Sequence, residues 1–536
     1  MPSLTEMRKA LSPPVALIGL AASMGGFLFG SDTGQLSGYI VMPNFVDRFA
    51  DKKENGVHQW GTTRLGLVVG MLSIGCLIGS LIAGPLGDRL GRRKSILLLC
   101  LVFYTGNTVF ITSMKAWYHV IIARIISGLA IGGCSMLVPV YVSETVPKEV
   151  RGGLVACYQL FVTLGLLTSY LVNFGTSHVN NSAQWRGAIA VGYTWGILLG
   201  IGTLMVPESP RWLIQQGRVD QARKALTWVH GGERKADPAR IDAEIVEMQK
   251  NVEEVNRVGK GNWLSSFNPK RKALYRTILG YMLQVFQQLT GANYFFYYGV
   301  TIFKSVGIKN SFVTQIILGA VNVICTFPGL YFIERFGRRK PLIFGGLWQM
   351  SWLIVFGAVG SELDPASKDI GIVMIVSACM FIASFASTWG PGIWVAMGEL
   401  YPIRIRGSSA SIATTGNWLW NFLLTFFTPL ITNQISYRYG YVFAGCNALA
   451  TATVFFFYYE SSGLTLEQVD EMYNDPSVKP WTSGRYRDEV VKRGELDSVQ
   501  TGSTDVPAKN GKEEWDSASD GERPLVGNRS NERAEV

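Results

Sequence analysis

The chain has 536 residues, 48% of them hydrophobic and only 16% charged, with 59 glycines, a blend that excludes an ordinary soluble domain and points to a polytopic membrane protein. The formal net charge of +10 calls for no nucleic acid, because Lys and Arg gather in particular short loops. Seven cysteines, all inside apolar blocks and without paired spacing, and four histidines outside any ligand pattern exclude a disulfide framework and a metal centre. There is no G-x-x-x-x-G-K-[ST] loop to hold ATP, so neither an enzyme nor a nucleotide-driven pump is expected, and no cofactor is implied.

Residues 1–13 form a short polar lead, expected on the cytoplasmic side. The first apolar span, about 14–40, carries G-G-F-L-F-G-S-D-T-G, which puts the Asp32 carboxylate at membrane depth and leaves no cleavable signal peptide. After a polar loop at 41–64, spans read at about 65–86, 95–114, 118–141, 153–174 and 186–206, each near the roughly 20 residues that cross a bilayer. Residues 14–206 thus make a first six-helix bundle. Residues 207–272 turn polar and basic. There Ile241, Ile245, Met248, Val252 and Val255 alternate four- and three-residue spacing, which predicts amphipathic surface helices in a linker. A second bundle occupies 273–460, with spans at about 274–300, 312–333, 341–360, 371–397, 408–432 and 441–459. The polar residues 461–536 are expected to be a largely disordered tail.

The short loops after spans 2, 4, 8 and 10 hold Arg89, Arg92, Arg93, Lys94, Lys148, Arg151, Arg335, Arg338, Arg339, Lys340, Arg404 and Arg406, and the alternate loops hold few basic residues. Both termini and the linker are therefore expected in the cytoplasm. Asn180, in an N-N-S sequon, then faces outward as a candidate glycosylation site. Internal repetition supports duplicated halves. D-R-L-G-R-R at 88–93 returns as E-R-F-G-R-R at 334–339, and S-E-T-V-P-K-E-V-R-G at 143–152 returns as G-E-L-Y-P-I-R-I-R-G at 398–407. Parallel halves of this kind place a binding site between them near the bilayer midplane.

The stretch 284–298, Q-V-F-Q-Q-L-T-G-A-N-Y-F-F-Y-Y, sets Gln284, Gln287, Gln288 and Asn293 in an apolar segment, where an unpartnered amide costs several kcal/mol. Gly291 permits a break that turns Asn293 toward the same cavity. Uncharged donors and acceptors beside aromatic rings suit a neutral, hydroxyl-rich ligand such as a sugar, although amides also glue membrane helices together. Asp32 and Arg124 are the notable intramembrane charges and are expected to pair. The loop acids among the arginines, Asp88, Glu144, Glu208, Glu334 and Glu399, suggest ion pairs that hold the two halves together until the path opens inward.

The motifs G-P-L-G-D-R-L-G-R-R at 84–93, P-E-S-P-R-W-L at 207–213, Q-Q-L-T-G-A-N at 287–293, E-R-F-G-R-R at 334–339 and W-G-P-G-I-W at 389–394 together resemble the sugar porter family of the major facilitator superfamily. N-Y-F-F-Y-Y-G-V-T-I-F at 293–303 and D-T-G-Q-L-S-G at 32–38 are similar to fungal hexose transporters in particular. The resemblance covers about residues 14–475 and implies an all-α membrane protein of the major facilitator fold, with twelve transmembrane helices in two halves. It also implies sugar contacts at Gln159, Gln287, Gln288, Asn293, Asn322, Trp394 and Asn417, an outer gate at Tyr297 and Tyr298, and proton uptake at Asp32 against Arg124. The expected activity is alternating-access transport of a hexose, glucose before other monosaccharides, as a proton symporter of the plasma membrane acting as a monomer. A facilitative uniporter or a transporter-like glucose sensor are the alternatives.

Overall fold

The computed structural model describes residues 12–54, 57–232, 237–258, 263–268, 272–305, 311–363, 367–401, 405–464 and 466–501. The apolar stretches fold into membrane-length helices, because in lipid every backbone amide must find its partner inside its own segment. In the first half these are α1 (Pro13–Tyr39), α3 (Thr62–Leu90), α4 (Arg92–Ile111), α5 (Trp117–Thr145), α6 (Lys148–Ser177) and α7 (Ala183–Met205). Helix α2 (Pro43–Phe49) lies between the first two of them. Prolines open α1 and α2, where the missing N–H would be unpaired in any case.

The second half repeats the six crossings with two of them broken. The seventh is split into α11 (Ala273–Leu289) and α12 (Ala292–Ser305), neither long enough alone to span the hydrocarbon. Gly291 makes the break at φ +96°, and a Cβ there would meet the Phe443 ring at 2.7 Å. The tenth is split at Thr388 into α15 (Lys368–Ser387) and α16 (Trp389–Leu400). Helices α13 (Ser311–Phe336), α14 (Arg339–Glu362), α17 (Arg406–Ile435) and α18 (Tyr439–Phe457) are the unbroken crossings.

Two segments differ from the sequence expectation. The polar loop 41–64 is folded: α2 is followed by a hairpin of Lys52–Glu54 with Val57–Gln59. It is pinned by Trp60 Nε1 donating to the Ile40 carbonyl at 2.8 Å and by Phe45 and Phe49 against Trp185. The segment after 460, expected to lack structure, forms α19 (Leu466–Asn474) and α20 (Ser483–Thr501). Val469, Met472 and Tyr473 are buried, because this short apolar set has a face of the bundle to cover. Residues 502–536 lie outside the described residues. In the linker, α8 (Pro210–Gln215), α9 (Val219–Val229) and α10 (Pro238–Val258) share a small core of Trp212, Leu213, Leu226, Ile241 and Ile245, onto which Met248 and Val252 pack. The Val255 side chain lies outside the described ones.

The loops with the clustered arginines share one end of the bundle, the basic end, and Asn180 marks the other, the sequon end. Toward the sequon end the halves touch. Gly66 and Gly70 of α3 let α17 approach so closely that a Cβ at either would meet Phe426 or Phe422, and Gly319 of α13 sits against Tyr170 of α6. Small residues at such crossings are what bring membrane helices into contact without a hydrophobic drive.

Candidate functional site

Between the halves lies a chamber of about 710 Å³ of atom-free space, counting its part open to solvent. Its wall includes all seven residues expected to contact the ligand: Gln159, Gln287, Gln288, Asn293, Asn322, Trp394 and Asn417. The first half adds Phe29, Thr33 and Ser135. A second, more apolar cleft lined by Pro139, Val155, Pro391 and Val395 shares Tyr158, Gln159 and Trp394 with the chamber and continues it toward the basic end.

Helical spacing on α11 and the break at Gly291 turn the amides to one side, where α17 meets them. Asn417 is the hub. Its Nδ2 donates to Gln284 Oε1 at 2.7 Å and to Gln287 Oε1 at 2.9 Å, and its Oδ1 accepts from Gln288 Nε2 at 2.8 Å. Gln287 Nε2 donates to the carbonyls of Trp389 and Gly390 at 3.1 and 3.0 Å, which ties the two broken crossings together. Asn293 Nδ2 donates to Gln288 Oε1, and Asn421 Nδ2 reaches the same oxygen at 3.3 Å. Gln284 is fully buried behind this layer and orients Asn417 rather than facing the chamber. A network in which each amide both gives and accepts can exchange its internal bonds for those of a polyhydroxylated ligand. Asn322 faces the chamber with an Oδ1 that has no protein partner, an acceptor left for such a ligand.

Tyr297 and Tyr298 do not stand over the chamber as free flaps. Both are buried in α12, and Tyr298 Oη donates to the Thr425 carbonyl of α17 at 2.6 Å. Together with Ser73 Oγ donating to Asn421 Oδ1 at 2.7 Å across the halves, this leaves the chamber closed toward the sequon end. Tyr298→Phe removes one buried hydrogen bond, so we expect it to loosen this closure by about 1 kcal/mol, read as faster labelling of a cysteine introduced into the chamber from the sequon side.

Asp32 and Arg124 meet inside the first half, Nη1 to Oδ2 at 2.6 Å, with the guanidinium 1% and the carboxylate side chain 11% exposed. Neither α1 nor α5 could hold its charge alone at this depth at a cost below about 2.5–3.5 kcal/mol, so each helix fixes the other.

The loop charges form two equivalent clusters, one in each half. In the first, Arg92 pairs with Glu144 at 2.9 Å and Asp88 at 3.2 Å, Ser209 Oγ donates to Glu144 at 2.6 Å, and Glu208 accepts the backbone N–H groups of Arg92 and Arg93. In the second, Arg338 pairs with Glu399 at 2.8 Å, Ser461 Oγ donates to Glu399 at 2.8 Å, and Glu460 accepts the N–H groups of Arg338 and Arg339. Burial alone would pull the Arg338 guanidinium down, but the Glu399 carboxylate outweighs it and holds its pKa above the ordinary value. Every one of these described pairs stays within its own half. Arg89 and Arg335 enter no described ion pair, and the side chains of Arg151, Glu334 and Arg406 lie outside the described ones. Replacing Arg338 by Met would leave Glu399 partly buried without its cation. We expect a loss of about 1–3 kcal/mol, visible as a lower melting temperature of the purified protein.

Asn180 is exposed in the turn between α6 and α7. Reasoning from sequence missed Asn421, one helical turn beyond Asn417 in N-W-L-W-N and detectable by that spacing. It also missed Glu460, although P-E-S at 207–209 has a counterpart in Y-E-S at 459–461.

Residues 18–473 match the family model described as "Sugar (and other) transporter". The low-affinity glucose transporter HXT1 of Saccharomyces cerevisiae is 40% identical over 506 residues, covering 91% of this chain and 88% of that one. The high-affinity glucose transporter ght2 of Schizosaccharomyces pombe is 42% identical over 472 residues, covering 87% and 88%. Among solved structures, the proton:xylose symporter XylE bound to 6-bromo-6-deoxy-D-glucose superposes with a TM-score of 0.73 at 27% identity, over 86% of this chain and 99% of that one.

Proposed function

The chain belongs to the sugar transporter family of the major facilitator superfamily, and from that premise we propose that it carries a hexose, glucose first, across the plasma membrane by alternating access. The observation that carries this reading is the shared amide chamber between the halves, with Gln287, Gln288, Asn293 and Asn417 bonded to one another and the Asn322 Oδ1 on its wall without a protein partner. Amides that satisfy each other pay little to stand without ligand, and sugar hydroxyls can take over their bonds. Trp394 offers an indole face to the C–H side of a pyranose.

The basic end lies in the cytoplasm by the distribution of Lys and Arg, so both termini are cytoplasmic and Asn180 is external and open to glycosylation. This conformation is then the one closed to the outside. Engagement of the loop charges across the halves belongs, on this reading, to the outward-facing state. The chain works as a monomer, since each copy holds a complete chamber.

Proton coupling is a second reading, favoured by one observation: the buried Asp32–Arg124 pair at 2.6 Å, which protonation of Asp32 would release. The test of both is uptake of labelled glucose in cells lacking their own hexose carriers, with fructose, xylose and polyols as competitors, at two pH values. Saturable glucose uptake supports the transport reading, and binding without accumulation would mark a sensor instead.

A further inference from the structure

Arg276 stands in the first turn of α11, at the basic end, with its side chain 0% exposed. Its guanidinium meets three groups, and all of them come from α19, beyond the last crossing. Nη1 donates to Asp470 Oδ1 at 2.8 Å, Nη2 donates to the Asp470 carbonyl at 3.2 Å, and the guanidinium carbon lies 4.2 Å from the Tyr473 ring centroid. Tyr473 is itself buried and packs on Tyr459 at 4.4 Å. A cation inside the bundle therefore has its counter-charge supplied by the segment that follows the bundle. Separating such a buried pair leaves an uncompensated charge, so the seating of α19 and the position of α11 are linked energetically.

What α11 carries makes this link consequential. Two to three turns beyond Arg276 the same helix presents Gln284, Gln287 and Gln288, and it ends at the Gly291 break. Helix α19 also packs against α16, which supplies Trp394 and the Trp389 and Gly390 carbonyls that hold Gln287. One short helix thus grips the basic-end pieces of both broken crossings, whose mutual bonding forms one wall of the chamber. Among the described residues the start of α1, the corresponding place in the first half, is tied to the linker by a neutral bond, Ser12 Oγ donating to the Val229 carbonyl at 3.1 Å.

We infer that Arg276 and Asp470 are positioning residues for sugar binding, a clasp by which the segment after the last crossing holds α11 and α16 in the register that aligns Gln287 and Gln288. The inference rests on the reading of those amides as sugar ligands. A rigid, correctly spaced wall binds with less ordering cost than one that must be assembled on the ligand, so loosening the clasp weakens binding without removing a single ligand atom.

The test is equilibrium binding of radiolabelled D-glucose to the purified full-length protein in lipid nanodiscs, with a melting curve for each variant. Arg276→Lys keeps the charge and the fold but cannot make both bonds and stack on Tyr473 together. It is expected to raise the Kd about three- to tenfold with a melting temperature near wild type. Asp470→Asn is expected to raise it about tenfold or more and to melt lower. In a Gln287→Ala background, Arg276→Lys should add clearly less than it costs in wild type, because part of its effect passes through that amide. A folded Arg276→Lys protein with wild-type Kd overturns the inference, as does a full additional loss in the Gln287→Ala background. Wild-type protein that binds neither glucose nor any competing hexose overturns instead the reading on which the inference rests, and is recognised by the silent wild-type control.

Discussion

Gln287→Ala is expected to raise the half-saturating glucose concentration by about 10- to 100-fold while the protein still reaches the membrane. The Gln287 side chain makes three hydrogen bonds: it accepts from Asn417 Nδ2 and donates to the Trp389 and Gly390 carbonyls. Truncation removes a direct hydroxyl partner and leaves two buried carbonyls short of a donor, each at about 1–3 kcal/mol less whatever water recovers. It also frees Asn417 from one of its acceptors, so the hub loses its orientation and binding suffers twice. Asn322→Ala should act more simply, since its Oδ1 has no protein partner to disappoint, and the loss expected is about tenfold. Uptake kinetics measured per molecule at the cell surface check both. Unchanged values in both variants would remove the chamber as the sugar site.

Asp32→Asn is expected to abolish accumulation of sugar against its gradient and the alkalinisation of the medium that accompanies uptake, while exchange of labelled for unlabelled sugar continues. An asparagine fills the same volume and still accepts from Arg124, but it cannot take up or release a proton. It also leaves the guanidinium, 1% exposed, without a counter-charge at a depth where that costs at least about 2.5–3.5 kcal/mol, so the variant should melt lower as well. The pair lies within the first half, on α1 and α5, and α1 continues from Asp32 to Thr33 on the chamber wall. A change in the Asp32–Arg124 bond therefore reaches the sugar chamber along one helix. Wild-type protein that equilibrates glucose without alkalinising the medium would instead be a facilitator in which the pair is purely structural.

The break at Gly291 was legible because the residue types demanded it: four amides in an apolar segment need a shared cavity, and glycine is the residue that permits φ +96°. The duplicated loop motifs likewise announced two equivalent charge clusters. Their partners were less accessible. Sequence places Arg92 and Arg338 at corresponding positions, but that they meet Glu144 and Glu399, 52 and 61 residues on, is decided by which loops the folded helices bring together. Asn421 was passed over, although the i, i+4 spacing puts it above Asn417 on one face.

The amino-acid sequence by itself determined the class and the cast. Hydropathy fixes the crossings because bare peptide groups cannot be left in lipid, and the repeated motifs imply paired halves. Only tertiary structure decided how that cast is used: that Asn417 is the hub of the amides, that Tyr298 is tied to Thr425, that Arg92 meets Glu144 and Arg338 meets Glu399, and that Asp470, past the last crossing, neutralises Arg276. The physical reason is that burial and periodicity are local properties of the chain, whereas a hydrogen bond or an ion pair is selected by which distant surfaces meet and exclude water between them.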